Sequence, residues 1–128
     1  LRIVMEGRLK REQSLDLFAR MQAGLAPSVD ALTRRVACPI KVFDYMAAGL
    51  PVVTPAVGEW ADIVQAEDAG LVTKHSDAEE FAAALETLQA EKEWKPKSAN
   101  AKAAISRRYN WQAVLEPVEE SLAQVVRA

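Results

Sequence analysis

Residues 36–57 read VACPIKVFDYMAAGLPVVTPAV, and the local signals in this stretch decide the fold. Pro39 loses no needed hydrogen bond in a first helical turn and Gly49 favours a helix end, so we expect a helix that begins near Pro39 and stops at Gly49. Residues 50–53, Leu-Pro-Val-Val, indicate a short buried strand entered through a proline. The stretch therefore predicts a helix that leads directly into a buried strand.

Lys41 and Asp44 are the only charged residues of this stretch, and their spacing of three places both on one stripe of the helix. Charges in apolar surroundings are costly unless they are paired or used. One interpretation is a local ion pair worth roughly 0.2–0.5 kcal/mol. The other is a binding site, because the free N–H groups at a helix start that follows a strand and loop can hold an anion, phosphate above all.

Short apolar runs alternate with helical patterns along much of the chain. Strands are predicted at residues 1–5, 23–26 and 71–73, helices at residues 11–21 and 59–65, and a loop at residues 27–35. Such alternation implies an α/β fold, a parallel sheet with helices on both faces. We expect the runs at 23–26, 51–54 and 70–73 to form its parallel core, with residues 1–5 displaced, paired against the strand at 23–26 or poorly ordered.

Three loops follow predicted strands at one edge of this sheet. In parallel sheets ligands bind at the carboxyl ends of the strands. Ser28, residues 36–41 and residues 54–58 lie there, and Gly58 lets the backbone approach a ligand. The sequence therefore predicts one crevice formed by these loops.

The last third of the chain is predicted to be helical. Residues 76–79, Ser-Asp-Ala-Glu, form a capping box before a helix, which Trp94-Lys95-Pro96 is expected to break. Residues 98–109 predict another helix, and Asn110 can cap a final one that Pro117 should kink. We interpret the apolar stripe of that final helix as core; its members are Trp111, Leu115, Val118, Leu122 and Val125.

Composition indicates one globular domain and excludes several classes of protein. The 128 residues are 50% hydrophobic with a net charge of −2, so no basic stripe supports nucleic-acid binding, and no apolar run approaches a membrane span. The single cysteine, Cys38, suits a reducing compartment, and we expect it to be buried. His75 is the only histidine, in a polar turn, so no metal site is expected. The glycines form no phosphate-binding motif of the G-x-G-x-x-G or P-loop kind.

GLAPSVD from Gly24, CPIKVFDYMAAGLPVVTPAVGEWADIV from Cys38 and AGLVT from Ala69 together resemble a known family. They are similar to the donor-binding C-terminal domain of group 1, family 4-like glycosyltransferases, which are retaining enzymes with the two-domain GT-B fold. The resemblance implies a Rossmann-like parallel sheet with helices on both faces. It also implies a nucleotide-sugar donor, a UDP- or GDP-sugar.

The resemblance carries over to particular residues. The family has two Glu residues, and the second, which accepts hydrogen bonds from the donor ribose, falls on Asp44. The first, which touches the donor sugar, falls on Val36, which cannot do so. A subgroup has Pro-x-Lys before its (E/D)YMA segment, as in Pro39-Ile40-Lys41 here. The donor-binding residues expected are Pro39, Ile40, Lys41, Asp44, Ser28 and Gly58, with no metal and no cofactor beyond the substrate itself.

The resemblance also implies what surrounds this chain. Residues 1–128 are expected to be a partial nucleotide-sugar-binding domain, with its C-terminal helices at about residues 96–128. An acceptor-binding domain, the first strands of this domain and the catalytic residues are expected ahead of Leu1, so we expect the isolated chain to be inactive. The expected partners are the nucleotide-sugar, that N-terminal domain, and an acceptor sugar, lipid or other small molecule. The expected location is cytoplasmic or peripheral to the inner face of the membrane.

Two alternatives share parts of this pattern. A sugar-nucleotide epimerase has the same two-domain architecture, but the MAAGLPVVT segment resembles the transferases more closely. A non-catalytic receiver-like or scaffold domain has the same βα alternation. It would be supported by acidic residues at strand ends, and the candidate strand ends at 24–28 and 53–55 have none.

Overall fold

A computed structural model describes residues 3–29 and 31–127. Helices and strands alternate along most of this range. In chain order they are α1 (Arg11–Phe18), β1 (Gly24–Leu25), α2 (Leu32–Arg35), α3 (Ile40–Ala48), β2 (Val52–Pro55), α4 (Glu59–Ala66), β3 (Gly70–Thr73), α5 (Ala78–Leu88), α6 (Glu91–Arg107) and α7 (Trp111–Arg127).

The sheet has three parallel strands in the order β1-β2-β3. Val52 of the central strand lies opposite Gly24 of β1 and Gly70 of β3. The predicted α/β class and its parallel core are therefore confirmed. The strand predicted at residues 1–5 is wrong for residues 3–5, which lie in no strand, while residues 1 and 2 fall outside the described part. These three residues pair with none of the three strands of the sheet.

Helices cover both faces of the sheet. Successive side chains of β2 point to opposite faces, so each face has its own core. Val52 joins a core cluster built with α3, α4 and α6, whereas Val53 packs against Ala84 and Leu88 of α5. α3 contributes Val42 and Met46, whose spacing of four places them on one buried face.

Some predicted element bounds are wrong. α1 ends at Phe18, and the predicted loop at 27–35 contains the helical turn α2. The helix break lies at residues 89–90, and α6 continues through Pro96. Pro96 deletes one helical N–H, but α6 buries Ala101 and Ala104 in the core, and this tertiary packing outweighs the local preference for a break.

The N-cap of α5 lies one residue beyond the predicted one, and the reciprocal bond of a capping box is replaced by bonds to the preceding loop. Asp77 is the N-cap, and its Oδ1 accepts a 2.9 Å hydrogen bond from the Glu80 backbone N–H. The Glu80 carboxylate accepts hydrogen bonds from the backbone N–H groups of Lys74 (2.6 Å) and His75 (3.0 Å). Glu80 rather than Glu79 therefore closes the loop between β3 and α5.

The final helix is capped as predicted, but its apolar stripe is not core. Asn110 Oδ1 accepts a 3.0 Å hydrogen bond from the Ala113 N–H, and Pro117 lies inside the helix. Trp111 is 80% exposed and Leu122 is 59% exposed. The heptad-like spacing shows that α7 is amphipathic, and it carries no information on which surface covers the apolar face.

Candidate functional site

A cavity of about 40 Å³ lies at the carboxyl edge of the sheet, where the predicted crevice was expected. Among the predicted residues, Ser28, Pro39 and Lys41 line it. Arg34 and Trp60 also line it, although no motif in the sequence pointed to either. Ile40, Asp44 and Gly58 do not line the cavity, so the structure gathers half of the predicted set around it.

The first backbone N–H groups of α3 lie next to this cavity. Pro39 is the N-cap, with an extended backbone (φ −73°, ψ 109°), and no side chain caps the helix. The Val42 N–H donates to the Pro39 carbonyl at 3.0 Å. The N–H groups of Ile40 and Lys41 have no hydrogen-bond partner among the described residues. The helix therefore begins where predicted, with free N–H groups beside Lys41.

Asp44 is paired with Arg11, not with Lys41. An Arg11 Nη2 atom lies 3.7 Å from Asp44 Oδ1, and the two side chains are 75% and 30% exposed respectively. The interpretation of Lys41 and Asp44 as a local ion pair is therefore wrong. Sequence reasoning missed Arg11 because nothing local shows which helix packs on α3.

Tyr45 fixes α3 against α1 and β1. Its ring contacts Phe18 edge-on, with centroids 5.3 Å apart, and its side chain fills the space where a Cβ on Gly24 would stand. Burial raises the pKa of Tyr45, and the neighbouring Asp44 carboxylate raises it further. The phenol therefore stays protonated at neutral pH, and the negative charge at this position belongs to Asp44.

Gly58 is the N-cap of α4 and has φ 76°, a left-handed conformation that other residues rarely adopt. A Cβ at this position would overlap the ring of Trp60. Trp60 in turn donates from Nε1 to Thr54 Oγ1 at 3.0 Å. Gly58 thus allows the indole to pack beneath the cavity, and its predicted contact with a ligand stays a prediction.

The remaining candidate side chains lie at the surface. Cys38 is exposed, so the prediction that it is buried is wrong; the chain turns outward between α2 and α3 before it re-enters the core at Val42. His75 lies in an exposed loop as expected, with Nδ1 2.8 Å from Glu80 Oε1. His75, Asp77 and Glu80 bring ligand atoms within 4.8 Å of one another, but loop closure and helix capping already explain their positions.

Comparisons with known proteins place the chain in a family. The sequence pattern of the family described as glycosyl transferases group 1 matches residues 1–91. The chain belongs to this family. This group 1 glycosyltransferase chain is also similar to the crystal structure of WaaG, a glycosyltransferase involved in lipopolysaccharide biosynthesis, with a TM-score of 0.63 and 23% identity. That match covers 77% of this chain and 26% of WaaG, and it shows a shared fold, GT-B.

The family match confirms the resemblance and favours a glycosyltransferase over the epimerase and receiver-like alternatives. The group 1 glycosyltransferase chain spans about a quarter of the length of WaaG, since 26% of WaaG is covered. No curated protein matches it by sequence. Within the described ranges, no helix combines the length and the apolar character needed to cross a membrane.

Proposed function

We propose that this group 1 glycosyltransferase chain binds the nucleotide-sugar donor, a UDP- or GDP-sugar, for transfer with retention. The observation that carries the proposal is the placement of Lys41 and Asp44 on α3. Lys41 lines the cavity at the carboxyl edge of the sheet, and Asp44 lies a turn further along the same helix. One helix thus carries a cation that can bind a diphosphate and, about one turn further on, a carboxylate that can bind a ribose.

The start of α3 supplies the contacts to the diphosphate in this proposal. The free N–H groups of Ile40 and Lys41, which follow Pro39, and the Lys41 ammonium hold the diphosphate. Ser28 lines the same cavity, and Gly58 lies in the loop beyond β2. This binding mode uses no metal and no cofactor.

Asp44 accepts hydrogen bonds from the ribose hydroxyls. Its carboxylate is partly exposed, and its present partner, Arg11, is an exposed side chain at the long distance of 3.7 Å. Ion pairs of this kind contribute roughly 0–1 kcal/mol, so ribose hydroxyls displace Arg11 at little cost. Val36 is exposed and cannot hydrogen-bond through its side chain, so other residues must contact the donor sugar.

Calorimetric titration of the 128-residue chain tests the two roles. Asp44→Ala removes charge-assisted hydrogen bonds of about 1.5–3 kcal/mol, so UDP or GDP should bind at least about tenfold more weakly. Lys41→Ala should weaken UDP or GDP binding but leave nucleoside binding nearly unchanged. Asp62→Ala, at an exposed position on α4, is the control and should bind like the parent chain. Equal losses of UDP and uridine affinity in Lys41→Ala would contradict these roles.

Sugar transfer requires more than this domain. Transfer needs donor and acceptor held together in a cleft between two domains, and such proximity supplies roughly 7–11 kcal/mol of the barrier. We therefore propose that the chain alone does not transfer sugar, and that its acceptor is a sugar, lipid or other small molecule bound partly by an N-terminal domain. Nucleotide release from UDP- and GDP-sugars, compared between this chain and the complete enzyme, tests this. Equal rates would contradict it.

We also propose a cytoplasmic location, or a peripheral one at the inner face of the membrane. An exposed free thiol at Cys38 suits a reducing compartment. Cell fractionation followed by immunodetection of the complete protein tests this, and recovery from an oxidising compartment would contradict it.

A further inference from the structure

Two cations from different elements face the same small cavity. Arg34 comes from α2 and Lys41 from α3, and both line the cavity together with Ser28. Within residues 3–29 and 31–127, neither the Arg34 guanidinium nor the Lys41 ammonium has a hydrogen-bonding or ion-pair partner. Like charges that face one cavity repel each other, and an anion between them removes that repulsion.

Several cations on α6 and at its end are placed against carboxylates. Lys97 lies 2.5 Å from Asp68, and Arg107 lies 2.6 Å from Glu67, which Arg108 also approaches at 3.4 Å. Those pairs tie α6 to the turn that follows α4. Arg34 and Lys41 differ from them because they share a cavity whose lining includes Ser28 and no carboxylate residue.

The backbone of Arg34 is held in place by its own helical turn. Its N–H donates to the Ala31 carbonyl at 2.8 Å, and its carbonyl accepts from the Ala37 N–H at 3.3 Å. The segment predicted to be an irregular loop is therefore a turn that presents Arg34 at the cavity. A guanidinium is suited to this position because its planar donors bind phosphate oxygens in pairs, which a lysine cannot do.

The size of the cavity limits which part of a ligand can enter it. About 40 Å³ holds a water-sized group, such as one phosphate oxygen, and excludes a ribose or a base. A diphosphate at this site would therefore lie across the cavity mouth, which Arg34 and Lys41 line, with its nucleoside outside the cavity.

We propose that Arg34 is a second cationic contact for the diphosphate and that, with Lys41 and Ser28, it makes a site that prefers diphosphate to monophosphate. This inference rests on the proposed donor site for the identity of the ligand. Its chemistry does not depend on the nucleoside, so inorganic pyrophosphate is a sufficient probe.

The test is calorimetric titration of the chain with pyrophosphate, orthophosphate, UDP and uridine. Arg34→Gln should weaken pyrophosphate and UDP binding by about tenfold, reduce the salt dependence of both, and leave uridine affinity unchanged. Arg34→Lys should keep part of the affinity because it keeps the charge but loses the paired donors. Arg8→Gln changes an exposed arginine outside the cavity and should bind like the parent chain.

The outcomes separate this inference from the proposed function. Equal pyrophosphate affinity in the parent chain and Arg34→Gln overturns the role of Arg34, even if UDP binding depends on Asp44. Absence of pyrophosphate binding to the parent chain overturns it as well. Loss of pyrophosphate binding in Arg34→Gln, with UDP bound no more tightly than pyrophosphate, supports Arg34 and contradicts the nucleotide site.

Discussion

The indole Nε1 of Trp60 donates a 3.0 Å hydrogen bond to Oγ1 of Thr54, and both side chains are buried. The same threonine hydroxyl lies 3.3 Å from the carbonyl of Ala26, at the end of β1. This network joins α4, β2 and the end of β1 next to the cavity that Arg34 and Lys41 line. The geometry of the candidate site therefore depends on a buried polar contact as well as on apolar packing.

Thr54→Val should destabilise the fold. The valine is similar in shape but accepts no hydrogen bond, so the buried Trp60 N–H is left without a partner, at a cost of about 1–3 kcal/mol. Thr54→Ser keeps the hydroxyl and should lower the free energy of unfolding by less than Thr54→Val does. Urea unfolding followed by tryptophan fluorescence measures both changes, and a Thr54→Val chain as stable as its parent would contradict the role of this bond.

Arg11→Gln should change the free energy of unfolding by less than about 1 kcal/mol, because its ion pair with Asp44 is long and largely exposed. UDP affinity should stay equal or increase, since the ribose no longer competes with a guanidinium for Asp44. Chemical unfolding and calorimetric titration of the same preparation give both values. Weaker UDP binding in Arg11→Gln would show that Arg11 contacts the ligand instead.

Glu80 should make stability depend on pH. The backbone N–H of His75, the His75 ring and then the Lys74 N–H lower the pKa of Glu80 below its usual value of 4.5. A carboxyl with a lowered pKa in the folded state contributes stability above its unfolded pKa and loses it as the pH falls through the folded value. Glu80→Gln should therefore lower Tm at pH 7, and the difference from the parent chain should shrink below about pH 4.5.

Glu79→Gln is the matched control for that measurement, because Glu79 is the exposed neighbour that the sequence pattern had placed in the capping box. Its Tm difference from the parent chain should be small at every pH. A Glu80→Gln difference that stays constant from pH 7 to pH 3 would assign the effect to packing rather than to the ionised carboxylate.

Met46→Ala and Leu122→Ala should differ strongly in their effects on stability. Met46 is fully buried between α3 and the sheet, so its truncation should cost about 2–5 kcal/mol. Leu122 belongs to the α7 stripe and is 59% exposed, so its truncation should change the free energy of unfolding by less than about 0.5 kcal/mol. Urea unfolding of the two variants measures this difference. Similar losses in the free energy of unfolding would mean that α7 packs on the core in solution.

The segment from Pro39 to Val53 could be predicted because its signals are local. A proline before the helix, a glycine with φ 77° at its end and two β-branched residues after it restrict the backbone regardless of their neighbours. The course of the chain at Pro96 could not be predicted in this way. There the local preference of proline for a helix break competes with the burial of Ala101 and Ala104, more than one turn further along α6. The packing of these alanines is the stronger effect.

The candidate site was predictable only in part. Parallel strands bring their carboxyl ends to one edge, so the sequence sufficed to place Ser28 and Lys41 near each other. It also placed Asp44 on the same helix as Lys41. It could not show that Asp44 faces Arg11, since that contact depends on how α1 packs against α3 through Phe18 and Tyr45.

By itself, the sequence determined the α/β class, the parallel direction of the strands and the helix start at the candidate site. These follow from side-chain periodicity and from the restricted dihedral angles of proline and glycine, which act over a few residues. The tertiary structure alone decided that Arg34 faces the cavity, that Trp60 bonds Thr54 and that the α7 stripe is exposed. Each of these depends on the distance between side chains from separate elements, which is set by packing of the whole domain.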